Sequence, residues 1–460
     1  MAKETISKKG EKTKKGEKNS KAYTRREFLK KSGVIAVVAA ATSVVGPFVL
    51  RGASKPIKIG TVFPLTGPLA RIGTESLRGV ELCVEEQNRR GGIKGREIVL
   101  INKDAPNPDA AVAAVESLAT VEKVDVATGC YSSTITYAAT AKAAALNLPF
   151  WVAPAIADAI TDRKLRNVFR VSSIASDYGI YAAMMCAEII APKLGKKPED
   201  LRVAVLYEDG LWGTTVSKFA IKKMRELKMK VVMSYGYDKE TPDLSPVITK
   251  LKSIEPDVLA HAGYTHDAAL FWSQAKALNF YVPAATGLGG GYSSREFREA
   301  IGKAAIGLLQ VDYTPYNTNP KFAKGLDKLA QAYREKYKEP PYSCHSPCTY
   351  ANMQVLFEVL EKAKSFDVKG IEEAALAMDK PLGTYVTGWG VKFDPETHQN
   401  LKAPPFGFQW QPDYRTDDIL FPERHDGIIV PYAIYPEEAR LPGTEVKWIP
   451  LPTWEEREKL

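Results

Sequence analysis

The sequence predicts an α/β protein made of two doubly wound, mostly parallel sheets. Three observations carry this reading. Short apolar, β-branched runs alternate with helix-like stretches of about 10–15 residues. Two such series follow one another between residues 57 and 279. Gly and Pro fall at the junctions, where loops must turn. Strands buried on both faces read as continuous apolar runs, and crossover helices make neighbouring strands parallel.

The first series opens with the strand "IKIGTV" (57–62). A helix is expected over 77–90, where Val80, Cys83 and Val84 recur at helical spacing. The glycines of "NRRGGIKG" end it. "REIVLIN", the Ala-rich helix 109–120, "VDVAT", the helix 136–147 and "PFWVAP" complete the series. The second runs from "RVAVLYE" (202–208) through helix 216–228, "VVMSYGY", helix 244–255, "DVLAHAGY" and helix 268–279. From 381 the composition turns to Trp, Pro and Tyr without helical period, which reads as a closing strand and hairpin followed by a long irregular tail, 414–460.

Apolar content of 45% and charged content of 25% are those of a globular protein. The net charge of +9 suggests a nucleic-acid or membrane partner, but its distribution excludes that. Residues 1–51 carry 13 basic and 4 acidic groups, leaving 50 of each in the remainder. The body has no net field to draw it to phosphate. The basic start belongs to "TRREFLKKSG" and the apolar run "VIAVVAAATSVVGPFVL". A basic region followed by a moderate apolar one reads as an export signal. Arg25 and Arg26, followed by Phe28, Leu29 and Lys30, resemble a twin-arginine signal. The alternative is an anchor before a transmembrane helix. The run holds 17 residues and includes Gly46 and Pro47, a poor span. Residues 1–54 are therefore expected to be an export signal, engaging the twin-arginine translocase and delivering the protein to the periplasm. The cleavage site is not defined by the pattern.

Five cysteines leave at least one unpaired in an exported chain. Cys344 and Cys348, in "YSCHSPC", are open to three readings: plain thiols, a local disulfide, or metal ligands with His345. The last lacks the second half of a zinc site. No metal or cofactor is expected. Cys83 falls at an apolar helical position and is assigned to the core.

In open α/β sheets, ligands sit beyond the carboxyl ends of strands. The loops placed there are 64–73, 129–134 and 153–161 in the first series, and 208–215, 263–267 and 287–292 in the second. The loop "GCYSST" (129–134) offers a thiol and hydroxyls, so catalysis has to be considered. A catalytic serine needs a base and an orienting acid. There are only five histidines, no G-x-S-x-G elbow, no H-E-x-x-H and no phosphate loop. "GLGGGY" resembles a dinucleotide motif only faintly and is read as a flexible turn. No enzymatic activity is expected. Hydroxyl residues at a helix start can instead hold an anion beside free backbone N–H groups. Ser132, Ser133 and Thr134, with Tyr131, exceed what a plain N-cap requires.

The segments "IGTVFPLTGPLARIGTESLRGVEL", "NRRGGIKGREIVLINKDAPNPDAAV", "YSSTITYAAT", "PFWVAPA" and "LYEDGLWG" stand in an order and spacing that resemble the leucine/isoleucine/valine-binding protein family, type I periplasmic solute-binding proteins. The resemblance runs from about 57 to 410. It implies two lobes joined by a three-stranded hinge, with ligand caught between them and passed to ABC permease subunits in the inner membrane. By that analogy lobe 1 is 55–172 plus 312–384, lobe 2 is 173–311 plus 385–413, and 414–460 is a tail packed on the lobes. Ser132 matches the family's carboxylate-holding hydroxyl. Ala157, beside Ile156, stands where a threonine is frequent. Trp212 and Tyr264 match aromatics of the second lobe. Gly289 replaces the acid that pairs with an amino acid's ammonium. Tyr131 and Pro106 occupy the positions of a family disulfide.

The expected function is that of an extracytoplasmic substrate-binding component of an ABC importer, capturing a small carboxylate-bearing solute. The alternative is a ligand-sensing receptor or regulator on the same fold. The loss of the acid at Gly289 favours an aromatic or branched acid without an α-amino group, because a buried ammonium without a partner is costly.

Overall fold

Residues 55–460, except 416 and 425, are described by a computed structural model of the chain. The first series forms a five-stranded parallel sheet from β1 (Ile57–Phe63), β2 (Ile98–Asp104), β3 (Val126–Gly129), β4 (Phe150–Val152) and β5 (Val168–Arg170), in the order β2-β1-β3-β4-β5. The second forms a larger sheet from β6 (Arg202–Glu208), β7 (Lys230–Tyr237), β8 (Val258–Gly263), β9 (Ala284–Gly290) and β10 (Leu309–Asp312), all parallel. A two-stranded ribbon, β11 (Asp379–Lys380) and β12 (Val391–Lys392), stands apart. The strands β13 (Phe406–Asp413) and β14 (Ile428–Tyr435) then extend the second sheet antiparallel, giving β14-β13-β10-β9-β8-β6-β7.

The chain leaves the first sheet after β5 and enters the second at β6. After β10 it returns, and the helices Leu326–Tyr337 and His345–Lys362 pack on the helix Ala70–Arg89 beside β1. At β13 it rejoins the second sheet. These three passages give the two-lobed, three-crossing architecture expected from the sequence. Among the described residues no helix is long and apolar enough to cross a membrane.

Three expectations are corrected. The tail is not irregular: β14 pairs with β13, and a helix, Trp454–Lys459, closes the chain under a Thr453–Glu456 capping box. Gly287, Gly289 and Gly290 are not a flexible turn but the end of β9, where a Cβ at Gly287 or Gly290 would collide with Gln310 or Trp212 and one at Gly289 would press on Tyr178. The first helix begins at Ala70, seven residues before the predicted start, because Gly73 and Ser76 interrupt its apolar spacing while being buried in it. All five cysteines are free and buried, so Cys344 and Cys348 are plain thiols, and Cys83 is in the core. Arg25 and Arg26 lie outside the described residues.

Candidate functional site

The six loops read as ligand-facing all leave the carboxyl ends of strands, three from each sheet. Between them is a pocket with about 310 Å³ of empty space, part of it open to solvent. Tyr131, Ser133, Pro154 and Ile156 line it from the first sheet's loops, and Trp212, Tyr264, Gly290 and Asp312 from the second's. Tyr178, Tyr313 and His345 complete it. An outer chamber of about 1,020 Å³ reaches from Pro68 and Arg71 to Lys239 and Asp267, and shares Tyr131 and Tyr264 with the inner pocket.

The loop after β3 shows how the site is built. Gly129 has φ +148, and a Cβ there would stand 2.1 Å from the Val62 carbonyl oxygen, so only glycine lets β3 run this close to β1. Tyr131 follows at φ 121, a strained conformation for a tyrosine. Its ring is turned into the cleft, edge-on to Tyr264 at 6.1 Å and to His345 at 5.2 Å. The three hydroxyls after it divide. Ser133 lines the pocket and accepts a hydrogen bond from the Ala157 N–H at 3.1 Å. Ser132 makes no cap bond to its helix, Ser133–Ala145, and instead shares a side-chain hydrogen bond with Tyr264. Thr134 is exposed and outside the pocket, because the helical turn of 100° per residue points it away. Ala157 is fully buried and its N–H is already used; Ile156 makes the contact instead.

On the facing side, Glu208 accepts from the N–H groups of Gly210 at 2.8 Å and Gly213 at 2.7 Å, fixing the turn that carries Trp212. Trp212 and Tyr264 pack with ring centroids 4.9 Å apart. Gly289 lies behind them, against Tyr178 and Trp212, and Gly290 faces the pocket. His345 Nδ1 is hydrogen-bonded to Ser343 Oγ at 2.9 Å, and the segment around it is held by Glu75, a buried carboxylate accepting from Ser346, Tyr333 and the Tyr342 and Ser343 N–H groups. Burial lowers the His345 pKa to about 3, so the imidazole is neutral. Burial likewise pushes the Cys130 thiol up to about 12, which removes the thiolate a nucleophile needs.

Sequence reasoning missed Asp312, the single carboxylate on the inner pocket. It ends β10, and it accepts from the Tyr313 N–H at 2.8 Å, Gln310 Nε2 at 3.1 Å and the Tyr178 hydroxyl at 3.2 Å. Burial raises its pKa to about 6 despite these donors. The strand-end rule applied to "LLQVDY" would have found it. Asp312 bears on the argument from Gly289, because a buried carboxylate lines the same pocket from the end of the next strand. Two nearby acids, Asp267 and Asp158, are engaged elsewhere. Asp267 sits on the outer chamber bonded to Tyr237, and Asp158 holds the Ser176 N–H at 3.0 Å.

Loops from two doubly wound lobes meeting on a small aromatic pocket define a solute-binding protein. The Periplasmic binding protein family matches residues 56–414, and the chain belongs to that family. It is 39% identical over 360 residues to Leu/Ile/Val-binding protein homolog 7 of Brucella suis, covering 78% of this chain and 90% of the relative. Among solved structures it is similar to the branched-chain amino acid transporter substrate binding protein LivJ of Streptococcus pneumoniae in complex with isoleucine. There the TM-score is 0.67 at 24% identity, covering 83% of this chain and 99% of the other. A solute binding protein of an ABC transporter from Rhodopseudomonas palustris, in complex with 3,4-dihydroxybenzoic acid, gives 0.67 at 19%, covering 82% and 96%.

Proposed function

We propose that this chain is the periplasmic substrate-binding component of an ABC importer of the branched-chain amino acid type, and that its ligand is a small apolar amino acid. The single observation carrying the ligand class is Asp312, a buried carboxylate on the aromatic pocket. Its place suits a ligand ammonium. Ser133 and the helix start behind it suit the carboxylate, as free N–H groups at a helix N-terminus do. Trp212, Tyr264, Tyr131 and Ile156 enclose the side chain. Lobe 1 is assigned to 55–172 plus 312–384 and lobe 2 to 173–311 plus 385–413, and closure of one on the other buries the ligand. The strand β14 makes residues 428–435 part of lobe 2. The twin-arginine pair, Arg25 and Arg26, is assigned to export, and permease subunits are the partner that reads the closed form. The role involves no turnover: the buried thiol of Cys130 and the neutral His345 offer no activated nucleophile–base pair.

The test is a thermal-shift panel of leucine, isoleucine, valine and phenylalanine against their deaminated acids and benzoate, with mass spectrometry of whatever co-purifies. Stabilisation by amino acids is the expected result. Stabilisation by the deaminated acids alone would overturn the assignment of Asp312.

A further inference from the structure

A second cavity, with about 440 Å³ of empty space that is part open to solvent, neighbours the ligand pocket. Three short segments face both. Gly290 lines the ligand pocket and Ser293 the second cavity; Tyr313 and Tyr316 divide in the same way, as do His345 and Cys344. Its remaining walls are apolar and come largely from the end of the chain. Trp410 on β13 stands opposite Phe421, Ile429 and Val430. The last three lie beyond residue 414, where the family match stops.

One cation in it is poorly compensated. The Arg298 side chain is only 13% exposed, and its Nε is buried without a hydrogen bond. Its ion pair is to Glu299 at 3.0 Å, and that carboxylate is 55% exposed to water. Arg295, the other guanidinium on the cavity, also leaves its Nε without a hydrogen bond, but its terminal nitrogens are committed to Glu339 at 2.7 Å and the Pro340 carbonyl at 3.1 Å. Arg295 and Arg424 act on Arg298 with like charge. Among the described residues no acidic side chain lines the cavity. An apolar enclosure with an unsatisfied guanidinium donor suits a ligand whose body is apolar and whose one charge is negative.

We propose that this cavity is a second binding site, for an apolar monocarboxylate, with the carboxylate on Arg298 and the hydrocarbon body between Trp410 and the β14 wall. It is distinct from the amino-acid site and does not depend on that assignment. An occupant would touch the segments that carry Tyr313 and His345 into the first pocket.

The test is titration calorimetry of the purified protein with octanoate, and with octan-1-ol as the neutral counterpart. Arg298→Gln removes the charge and Ile429→Trp fills the space. Trp212→Ala, in the amino-acid pocket, reports whether octanoate has gone there instead. One saturable octanoate site is expected, weakened at least about tenfold in Arg298→Gln, as befits a hydrogen bond to a charged group. It should be abolished in Ile429→Trp and kept in Trp212→Ala, and octan-1-ol should bind at least about tenfold more weakly. Absence of saturable binding, equal affinity for octan-1-ol, wild-type affinity in Arg298→Gln, or loss in Trp212→Ala alone would each overturn the proposal. If Arg298→Gln fails to fold, the Ile429→Trp and octan-1-ol arms decide it.

Discussion

Replacing Asp312 by Asn separates the two ligand classes that the pocket could serve. The substitution keeps shape and one acceptor for the Tyr313 N–H. Its new amide donor has a partner at hand, because Gln310 Oε1 is buried without a hydrogen bond and the Gln310 amide can turn to offer it. The fold should therefore survive. Removing one member of a buried pair costs about 3–5 kcal/mol. The Asn carbonyl retains a neutral hydrogen bond worth about 1 kcal/mol. About 2–4 kcal/mol of leucine affinity should be lost, or roughly 30- to 900-fold. Deaminated 4-methylpentanoate should gain affinity, since it no longer faces a carboxylate. The stability of the unliganded protein moves the other way. The folded pKa of Asp312, about 6, lies above its ordinary value of 3.8, so the folded state holds the proton more tightly. That contribution is present at low pH and is lost as pH rises between these values, at most about 3 kcal/mol by pH 7. The Asn variant escapes the loss and should melt no lower than wild type at pH 8. In wild type, leucine affinity should fall as pH drops through 6, where the empty pocket protonates Asp312; in the variant it should be flat. Calorimetry at pH 5, 6 and 8 measures all of this. Equal leucine affinity in the two proteins at pH 8 would refute the pairing.

Other perturbations address the frame of the site. Ser133→Ala leaves the buried Ala157 N–H without its acceptor and should destabilise by about 1–3 kcal/mol, read as a lower urea midpoint at unchanged slope. Gly290→Ala places a Cβ 2.5 Å from Trp212 Cη2 at φ +76, so the indole must move and amino-acid affinity should drop at least about tenfold while the melting transition stays cooperative. Glu339 accepts from Arg78 at 2.5 Å and Arg295 at 2.7 Å, tying the helix Ala70–Arg89 to the helix Arg295–Ile301 across the cleft; Glu339→Gln should speed ligand release a few-fold by stopped flow, as partly exposed pairs are worth about 1 kcal/mol or less. Replacing Arg25 and Arg26 together by Lys should leave the protein in the cytoplasm by fractionation, and normal periplasmic yield would remove the twin-arginine assignment.

The fold was legible wherever a strand is buried on both faces. "RVAVLYE" coincides with β6, and β8 is buried along its length, because nothing but packing decides those residues. Legibility failed where a small residue packs as closely as an apolar one. Gly73 and Ser76 hide the first turns of the helix Ala70–Arg89, and Gly287, Gly289 and Gly290 look like a loop although they lie in a strand packed closely on Gln310, Tyr178 and Trp212. The tail failed for another reason. β14 pairs antiparallel with β13, the strand just before it, but the long connection 414–427 and Pro431 inside the strand break the local hairpin pattern.

The site divides in the same way. Its walls could be found because aromatics at the ends of local strands announce themselves: Tyr131, Trp212 and Tyr264 all reach the pocket. Its charge required the strand-end rule to be carried on to β10, beyond the two alternating series. A buried carboxylate is tolerated only where several donors surround it, and those around Asp312 come from the Tyr313 backbone, from Gln310, and from Tyr178, 134 residues away in sequence. No local pattern encodes that convergence. Matching position by position led to Gly289 on β9 and to the conclusion that the ammonium had lost its partner. The structure also brings a carboxylate to the same pocket from the end of β10, and the proposed function assigns it that role. The strand-end geometry is shared by all parallel strands of the sheet, so a carboxylate can serve the cleft from the end of either neighbour. What the ligand meets is the set of strand ends, and the ligand class has to be read from all of them together rather than from any one aligned position.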